Sequence, residues 1–207
     1  MLKFFFNLER QEKIQISLGG FIFFCIVGAY TLIKEIQHTT FISLVGVEKY
    51  PYGKILSLFY LSLIAILDGY LVDRLKRYQL LLCYSTAYCI IGMVISGYFY
   101  LLSNDTNSHS SLMGWVYFLY AEAYYPMLIG VFWAFMNSMS TTNSGDRIYG
   151  LLAACSKIGG LCCASFAYFF LLYCLQNKIS QDFFQLSILS LLASSMLLFV
   201  SITLAIS

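Results

Sequence analysis

The chain of 207 residues is 60% hydrophobic and only 11% charged, whereas about a quarter of the residues in a soluble domain are charged. This composition excludes an ordinary soluble protein and predicts an all-α integral membrane protein in contact with the lipid bilayer. The formal net charge of +2 is too small to indicate a nucleic-acid partner.

Six apolar segments are each long enough for a membrane-spanning helix, which needs about 20 residues. No linker rich in Pro, Gly or Ser separates them, so we predict one six-helix transmembrane domain over residues 1–207. The spans are expected at about 14–33, 52–72, 78–102, 111–139, 149–175 and 184–207. Lys and Arg outside the spans divide seven to four in favour of the side that holds the N-terminal tail. Because cytoplasmic loops carry the excess of positive charge, both termini are predicted to be cytoplasmic.

Ionisable residues in or beside the spans are candidate site residues, because a charge in the bilayer is costly and usually faces a protein interior. Lys34 and Glu35 are expected to end the first span, and Lys54 to open the second. At the mouth of a cavity, Lys34 and Glu35 could meet an anionic ligand, whereas a Lys-Glu pair at a helix end is usually interfacial. Lys54 is either a binding group or a simple anchor at the membrane surface.

The stretch GYLVDRLKR, residues 69–77, connects the second and third spans. Gly69 permits a close helix contact, and Asp73 and Arg74 can pair with neighbouring helix ends on the cytoplasmic side. The alternative is a simple excess of positive charge at the inner surface. That alternative explains the two basic residues that end the stretch, but not the spacing of Gly69 and Asp73.

Glu122 lies within the fourth span, in an otherwise apolar stretch. Helical spacing places aromatic and polar residues on the same face as this acid, namely Trp115, Phe118, Pro126, Ile129, Trp133 and Asn137. We predict that this face lines a cavity, with Glu122 as an ion-pair or proton-linked partner. The alternative is a structural acid that is hydrogen-bonded to a neighbouring helix. The polar run at 137–146 is expected to be a cytoplasmic bend, and Arg147 to begin the turn into the fifth span.

Lys157 lies in the fifth span among small residues, including Gly150, Gly159 and Gly160. Small residues let helices approach closely, so this span is predicted to be tightly packed in the interior of the bundle. Lys157 could attract an anion, pair with an acid such as Glu122, or extend to the inner surface.

The sequence gives no support for an enzyme. It contains no G-x-S-x-G, no phosphate-binding Walker loop and no H-E-x-x-H. The seven cysteines lie in apolar stretches and have no His at ligand spacing, so we interpret them as small hydrophobic residues. No metal site and no cofactor are predicted.

The loop stretch GYLVDRLKR resembles the loop motif of the major facilitator superfamily. In that fold the Asp and Arg latch the two halves of the transporter together in one conformational state. The resemblance implies a conformational latch formed by Gly69, Asp73 and Arg74. It also implies a six-helix bundle that is one half of a major facilitator fold.

Three further stretches follow in order between about residues 18 and 175: FIFFCIVGAYTLIKEIQHTTFI, YPYGKILSLFYL and WVYFLYAEAYYPMLIGVFWAFMNSMSTTNSGDRIYGLLA. Together they resemble the N-terminal half of the ATP/ADP translocase family of intracellular bacteria and plastids. Members of that family exchange ATP and ADP, or carry other nucleotides, across a membrane, with a binding cavity between two six-helix halves. The resemblance implies ATP:ADP antiport by alternating access.

The resemblance also implies which residues take part in nucleotide transport. The matched candidates are Lys34, Glu35, Lys54, Glu122, Asn137 and Arg147, and Thr141 and Asp146 match the same polar bend. Lys157 remains a candidate on its position, although the family more often has a polar neutral residue there.

A complete transporter of this class has twelve spans, so we expect this chain to need a second six-helix half or a homodimer partner. The absence of a polar C-terminal tail favours a truncated chain. We expect the membrane to be the bacterial inner membrane. Two alternatives stay open: a major facilitator transporter of another small solute, proton-coupled through Glu122, and a membrane subunit that transports nothing.

Overall fold

A computed structural model of the chain describes residues 10–104, 111–139, 145–176 and 182–206. Side chains are described for 16–102, 111–139, 148–174, 176 and 185–204. Within these ranges every regular element is a helix: α1 Arg10–Leu44, α2 Tyr50–Arg74, α3 Arg77–Asn104, α4 Ser111–Tyr124, α5 Gly130–Met139, α6 Gly145–Gln176 and α7 Asp182–Ile206. A 3₁₀ turn, Val47–Lys49, leads into α2, and a π-helical segment, Tyr125–Ile129, joins α4 to α5.

Six helical spans are long and apolar enough to cross a membrane by their length and composition. They are Ile16–Leu44, Val47–Arg74, Arg77–Leu102, Ser111–Met139, Ile148–Cys174 and Gln185–Leu204. The predicted all-α bundle of six spans is therefore confirmed for the described residues. The chain is an integral membrane protein.

The first span is longer than predicted, because α1 does not end near Lys34 but continues to Leu44. Residues beyond Lys34 are packed in the bundle, since Ile36 and Phe41 are at most 1% exposed. The helix ends where Gly46 adopts a positive φ of 102°, a conformation that glycine takes without steric cost. Its N–H donates to the carbonyl oxygen of Phe41, which satisfies one carbonyl of the last turn.

The centre of the bundle is α1, which packs along α6 and α7, while α3 packs along α7. Glycines set the distance between α1 and α6. A Cβ on Gly159 would lie 2.4 Å from the carbonyl oxygen of Phe24, and a Cβ on Gly28 would lie 2.8 Å from the sulfur of Cys163. The close packing predicted from the small residues of the fifth span is therefore confirmed at Gly159. The predicted interior position of this span is wrong, because only 22% of its most apolar part is buried, against 61% in the first span.

Helix α2 lies at the edge of the bundle, and only Gly53, Ser57 and Ile64 of this helix are buried. Near its start, Gly53 lies under the ring of Phe118, which a Cβ would approach to 3.2 Å. Farther along, Asp68 accepts a hydrogen bond of 2.6 Å from the hydroxyl of Tyr84 on α3. These few contacts hold α2 where its Lys54 can reach α4.

Candidate functional site

A polar cluster joins three helices at one carboxylate oxygen. Oε1 of Glu122 on α4 accepts a hydrogen bond from Lys34 Nζ of α1 at 3.1 Å and from Lys54 Nζ of α2 at 2.5 Å. The Glu122 side chain is 12% exposed, whereas Lys34 is 23% and Lys54 is 45% exposed. Sequence reasoning had selected all three residues, and the structure brings them together.

A fourth member of this cluster, Gln37, was missed at the level of sequence. It is 1% exposed, and its Nε2 donates both to Glu122 Oε1 at 3.0 Å and to the carbonyl oxygen of Phe118 at 3.0 Å. Its Oε1 accepts from Lys34 Nζ at 2.9 Å. Gln37 therefore fixes both Lys34 and Glu122. Its position one helical turn after Lys34 was the only signal, and it lay in a segment that was predicted to be outside the span.

The cluster carries more positive than negative charge, and one carboxylate oxygen of Glu122 accepts no hydrogen bond from the described side chains. Two ammonium groups face one carboxylate, and Oε2 of Glu122 receives no hydrogen bond from any side chain that the structure describes. Lys34 precedes the end of α1 at Leu44 by about 15 Å, at about 1.5 Å per residue. The cluster therefore lies within the length of the apolar span Ile16–Leu44, in the half nearer the α1–α2 connection.

Aromatic rings surround the charged groups. The ammonium of Lys54 lies 5.6 Å from the ring centroid of Tyr50 and 5.4 Å from that of Phe118, within the range of a cation–π interaction. One turn before Lys34, the ring of Tyr30 lies 5.9 Å from that of Tyr124 and 5.5 Å from that of Tyr125. Tyr125 is 54% exposed, so this aromatic surface is open beside the cluster.

Partly exposed residues continue from the cluster toward the other end of α5. Trp133 lies 5.7 Å from the ring of Tyr149, and the Tyr149 hydroxyl donates to Oδ1 of Asn137. We call this surface the open face; its residues are Tyr30, Lys34, Lys54, Glu122, Tyr125, Trp133, Asn137 and Tyr149. Asn137 was predicted to lie in a bend but belongs to helix α5.

The predicted face of the fourth span is correct only in part. Trp115, Pro126, Trp133 and Asn137 are at least partly exposed, but Phe118 is fully buried and Ile129 is 7% exposed. The π-helical segment Tyr125–Ile129 is the physical reason for the error at Ile129. A π turn holds more residues than an α turn, so the residues after it are rotated about the helix axis relative to a continuous α-helix. Gly130 is therefore the exposed residue, and Ile129 is buried.

Glu35 and Lys157 lie apart from the cluster. Glu35 is exposed and lines a cavity of 350 Å³ between α1, α6 and α7. Lys157 is exposed on α6 and makes no ion pair with any described side chain, so the suggested pairing with Glu122 is wrong. The adjacent Lys34 and Glu35 do not form a pair either, because successive helical residues point in different directions.

The three latch candidates lie near the end of α2. A Cβ on Gly69 would meet nothing within 4 Å, so the predicted close contact is not made within the described part of the chain. Asp73 and Arg74 are exposed, and the Arg74 guanidinium lies 4.4 Å from the ring centroid of Tyr70. A latch with a second half stays a prediction.

Thr141 and the side chains of Asp146 and Arg147 lie outside the described residues. The backbone of Asp146 and Arg147 belongs to α6, which begins at Gly145, so the prediction that the bend reaches residue 146 and that Arg147 begins the turn is wrong. Within the described residues, no group of three or more His, Cys, Asp or Glu side chains is arranged to hold a metal ion. Comparisons with protein-family models, with curated proteins and with solved structures found no match to this chain.

Proposed function

We propose that this chain forms one half of a nucleotide transporter, an ATP:ADP antiporter that works by alternating access. The observation that carries the proposal is the convergence of Lys34 and Lys54 on one oxygen of Glu122, on an open face within the apolar spans. The proposal also rests on the resemblance to the ATP/ADP translocases. It places the chain in a bacterial inner membrane with both termini in the cytoplasm.

The charge of the cluster favours a phosphate group. Lys34 and Lys54 share a single carboxylate, so one positive charge of the cluster is not balanced locally. The oxygens of a phosphate chain can compete with Glu122 for both ammonium groups, and lysine is a common phosphate-binding residue. A polyanion therefore gains more from this cluster than a neutral solute does.

The rings beside the cluster favour an aromatic base. Tyr30 and Tyr125 lie 5.5 Å apart by ring centroids, and Tyr125 is 54% exposed. Stacking of a base on an aromatic side chain contributes about 1–3 kcal/mol and tolerates different bases. Phosphates at Lys34 and Lys54 with a base near Tyr125 would orient a nucleotide along the open face.

The open face is one wall of a site and needs an opposite wall. Sites of transporters with internal repeats lie at the interface between the repeats, near the midplane of the membrane. A second six-helix half or a homodimer partner would supply that wall. Transport would then be a rocking of one half against the other around the bound nucleotide.

The test is uptake of labelled ATP by cells that express the chain joined to a matching second half. We expect uptake to rise when the cells are preloaded with ADP, and to fall at least about tenfold in Lys54→Ala and in Glu122→Ala, the equivalent of about 1.4 kcal/mol. Lys49→Ala is the matched control, because Lys49 is exposed and forms no ion pair among the described residues. Absence of uptake with ATP, ADP, GTP and NAD alike would contradict the proposal.

The second candidate is a proton-coupled transporter of another small solute. Oε2 of Glu122 favours it, because this oxygen accepts no hydrogen bond from the described side chains and a proton could bind there while Oε1 still accepts from both lysines. Uptake of a non-nucleotide solute that depends on a pH gradient and is lost in Glu122→Gln would select this function. If no solute is taken up and a stable partner co-purifies, the chain is a membrane subunit that transports nothing.

A further inference from the structure

A cavity lies on a different side of α1 from the polar cluster. It is a partly open space between α1, α6 and α7, and its volume is 350 Å³, near the lower end of the range typical of small-molecule sites. Glu35 contributes a carboxylate from α1, and Tyr168 contributes an aromatic ring from α6. The cavity is therefore separate from the proposed nucleotide site in both position and charge.

Glu35 is the only acidic residue among those that line this cavity, and it has no counter-charge among the described side chains. The hydroxyl of Thr39, which lines the same cavity, donates to the backbone carbonyl of Glu35 and not to its carboxylate. Glu35 precedes the end of α1 at Leu44 by about 14 Å, at about 1.5 Å per residue, so it lies within the depth of the apolar span Ile16–Leu44. An acid at that depth is costly, and such residues usually pair with a cation or a ligand.

The other walls of the cavity indicate what kind of cation fits. Leu32, Ile36, Leu186 and Leu189 make most of the surface apolar, which suits a hydrocarbon body better than a hydrated metal ion. Tyr168 is 61% exposed and can offer its ring face to a positive charge. A carboxylate together with an aromatic ring is the chemistry that recognises ammonium groups.

We propose that this cavity binds an organic cation with an ammonium head and an apolar body, with Glu35 as the counter-ion and Tyr168 as a second contact. The ammonium can belong to a free amphiphilic amine or to the headgroup of a membrane lipid. The proposal does not depend on nucleotide transport, because none of its residues belongs to the open face.

The test uses benzyltrimethylammonium and its neutral carbon isostere, neopentylbenzene, with the full chain in lipid nanodiscs. Binding is measured by equilibrium dialysis of the labelled compounds, and the uptake by protein-free discs of the same lipid is subtracted, because the uncharged isostere partitions into lipid. We expect the cation to bind more tightly than the isostere, and Glu35→Gln to weaken cation binding at least about tenfold. Glu48→Gln is the matched control, because it removes the same charge at an exposed site outside the cavity.

A second variant tests the shape of the site without changing its charge. Ala164 lines the cavity and is exposed, so Ala164→Phe fills the space and leaves Glu35 in place. We expect it to abolish binding of the cation. Equal binding of the cation and the isostere, or unchanged binding in both Glu35→Gln and Ala164→Phe, would overturn the proposal.

The composition of the nanodisc separates the two sources of the ammonium. Phosphatidylglycerol has no ammonium group, so in discs of this lipid the probe should bind whether the natural occupant is a lipid headgroup or a free amine. The quantity compared is the Glu35-dependent binding, the difference between the unchanged chain and Glu35→Gln in the same kind of disc, because the anionic surface of phosphatidylglycerol itself attracts cations. If this binding is several-fold weaker in discs of phosphatidylethanolamine, the lipid headgroup is an occupant of the site. If binding is equal in the two kinds of disc, the site takes a free cation.

Discussion

Helices α1 and α2 differ in how the bundle holds them, although the spans that contain them have the same mean hydropathy. In the most apolar part of each span, 61% of the residues of the first span are buried, against 11% in the second. Hydropathy therefore identifies both as spans but does not distinguish the central helix from the peripheral one. In a membrane, lipid is as apolar as a neighbouring helix, so burial must be decided by something else.

Small residues and polar contacts account for the difference. Helix α1 meets α6 through Gly28 and Gly159, where the backbones approach closely. Helix α2 is buried at only three positions and is joined to α4 by the Lys54–Glu122 ion pair and to α3 by the bond between Tyr84 and Asp68. Close backbone packing therefore holds α1 in the core of the bundle, whereas few buried contacts hold α2.

The largest expected effect comes from separating α1 and α6. In Gly159→Ala the new Cβ would lie 2.4 Å from the Phe24 carbonyl oxygen and 3.0 Å from its Cα, and backbone atoms cannot move aside as a flexible side chain can. We expect the variant to lower the free energy of unfolding by about 3 kcal/mol, measured by denaturant titration in detergent micelles.

Gly150→Ala is the control for that variant, because it makes the same change in the same helix where nothing lies within 4 Å. Replacing this glycine should leave stability unchanged or raise it by up to about 1 kcal/mol, since alanine has the higher helix propensity. If the two variants are equally stable, glycine packing does not hold α1 in the core.

A smaller effect is expected from the attachment of α2. A double-mutant cycle of Lys54→Ala and Glu122→Gln should give a coupling energy of about 1 kcal/mol in the free energy of unfolding. The value is expected at the lower end of the range for contacting residues because Lys54 is 45% exposed, and solvent screens such a pair. The coupling should also decrease as salt is added.

The matched cycle pairs Lys54→Ala with Glu48→Gln, an exposed acid that forms no ion pair among the described residues. Those two changes should be additive within about 0.5 kcal/mol. Additivity in both cycles would mean that the contact between Lys54 and Glu122 contributes nothing measurable to the attachment of α2.

The sequence predicted the spans better than the contacts between them. Hydropathy located all six spans, and the fourth was predicted with the bounds Ser111–Met139 that the structure has. The predicted first span stops too early, because a lysine at position 34 is expected to mark the membrane surface, whereas the helix continues to Leu44. A lysine whose ammonium meets a carboxylate inside the bundle does not have to end a span.

Site residues could be selected from the sequence, but not their partners. Glu122 stood out as a charge in apolar surroundings, and Lys54 was a candidate as the lysine that opens a span, whereas Gln37 carries no charge and had no such signal. The convergence of three helices on one oxygen depends on helix angles and positions that no single segment encodes. The rotation of α5 depends on a π turn around Pro126, and a proline alone does not specify such a turn.

The smallest expected effect concerns the exposed end of α2. Gly69 lies in the helix with nothing within 4 Å of the position of a Cβ, so Gly69→Ala should raise the free energy of unfolding of this chain by about 0.5–1 kcal/mol. Gly97→Ala on α3, where a Cβ also meets nothing within 4 Å, should stabilise the chain to a similar extent.

The two variants should differ once a second half is present. If Gly69 is kept for a close contact in a conformational latch, Gly69→Ala will lower labelled ATP uptake by the joined transporter, and Gly97→Ala will not. Equal ATP uptake by the two variants would contradict the latch. Gly69 would then only lower the stability of a peripheral helix. A loss confined to Gly69→Ala, in a variant whose own chain is more stable, would come from a contact that the described part of this chain does not make, because nothing within that part lies within 4 Å of a Cβ at Gly69.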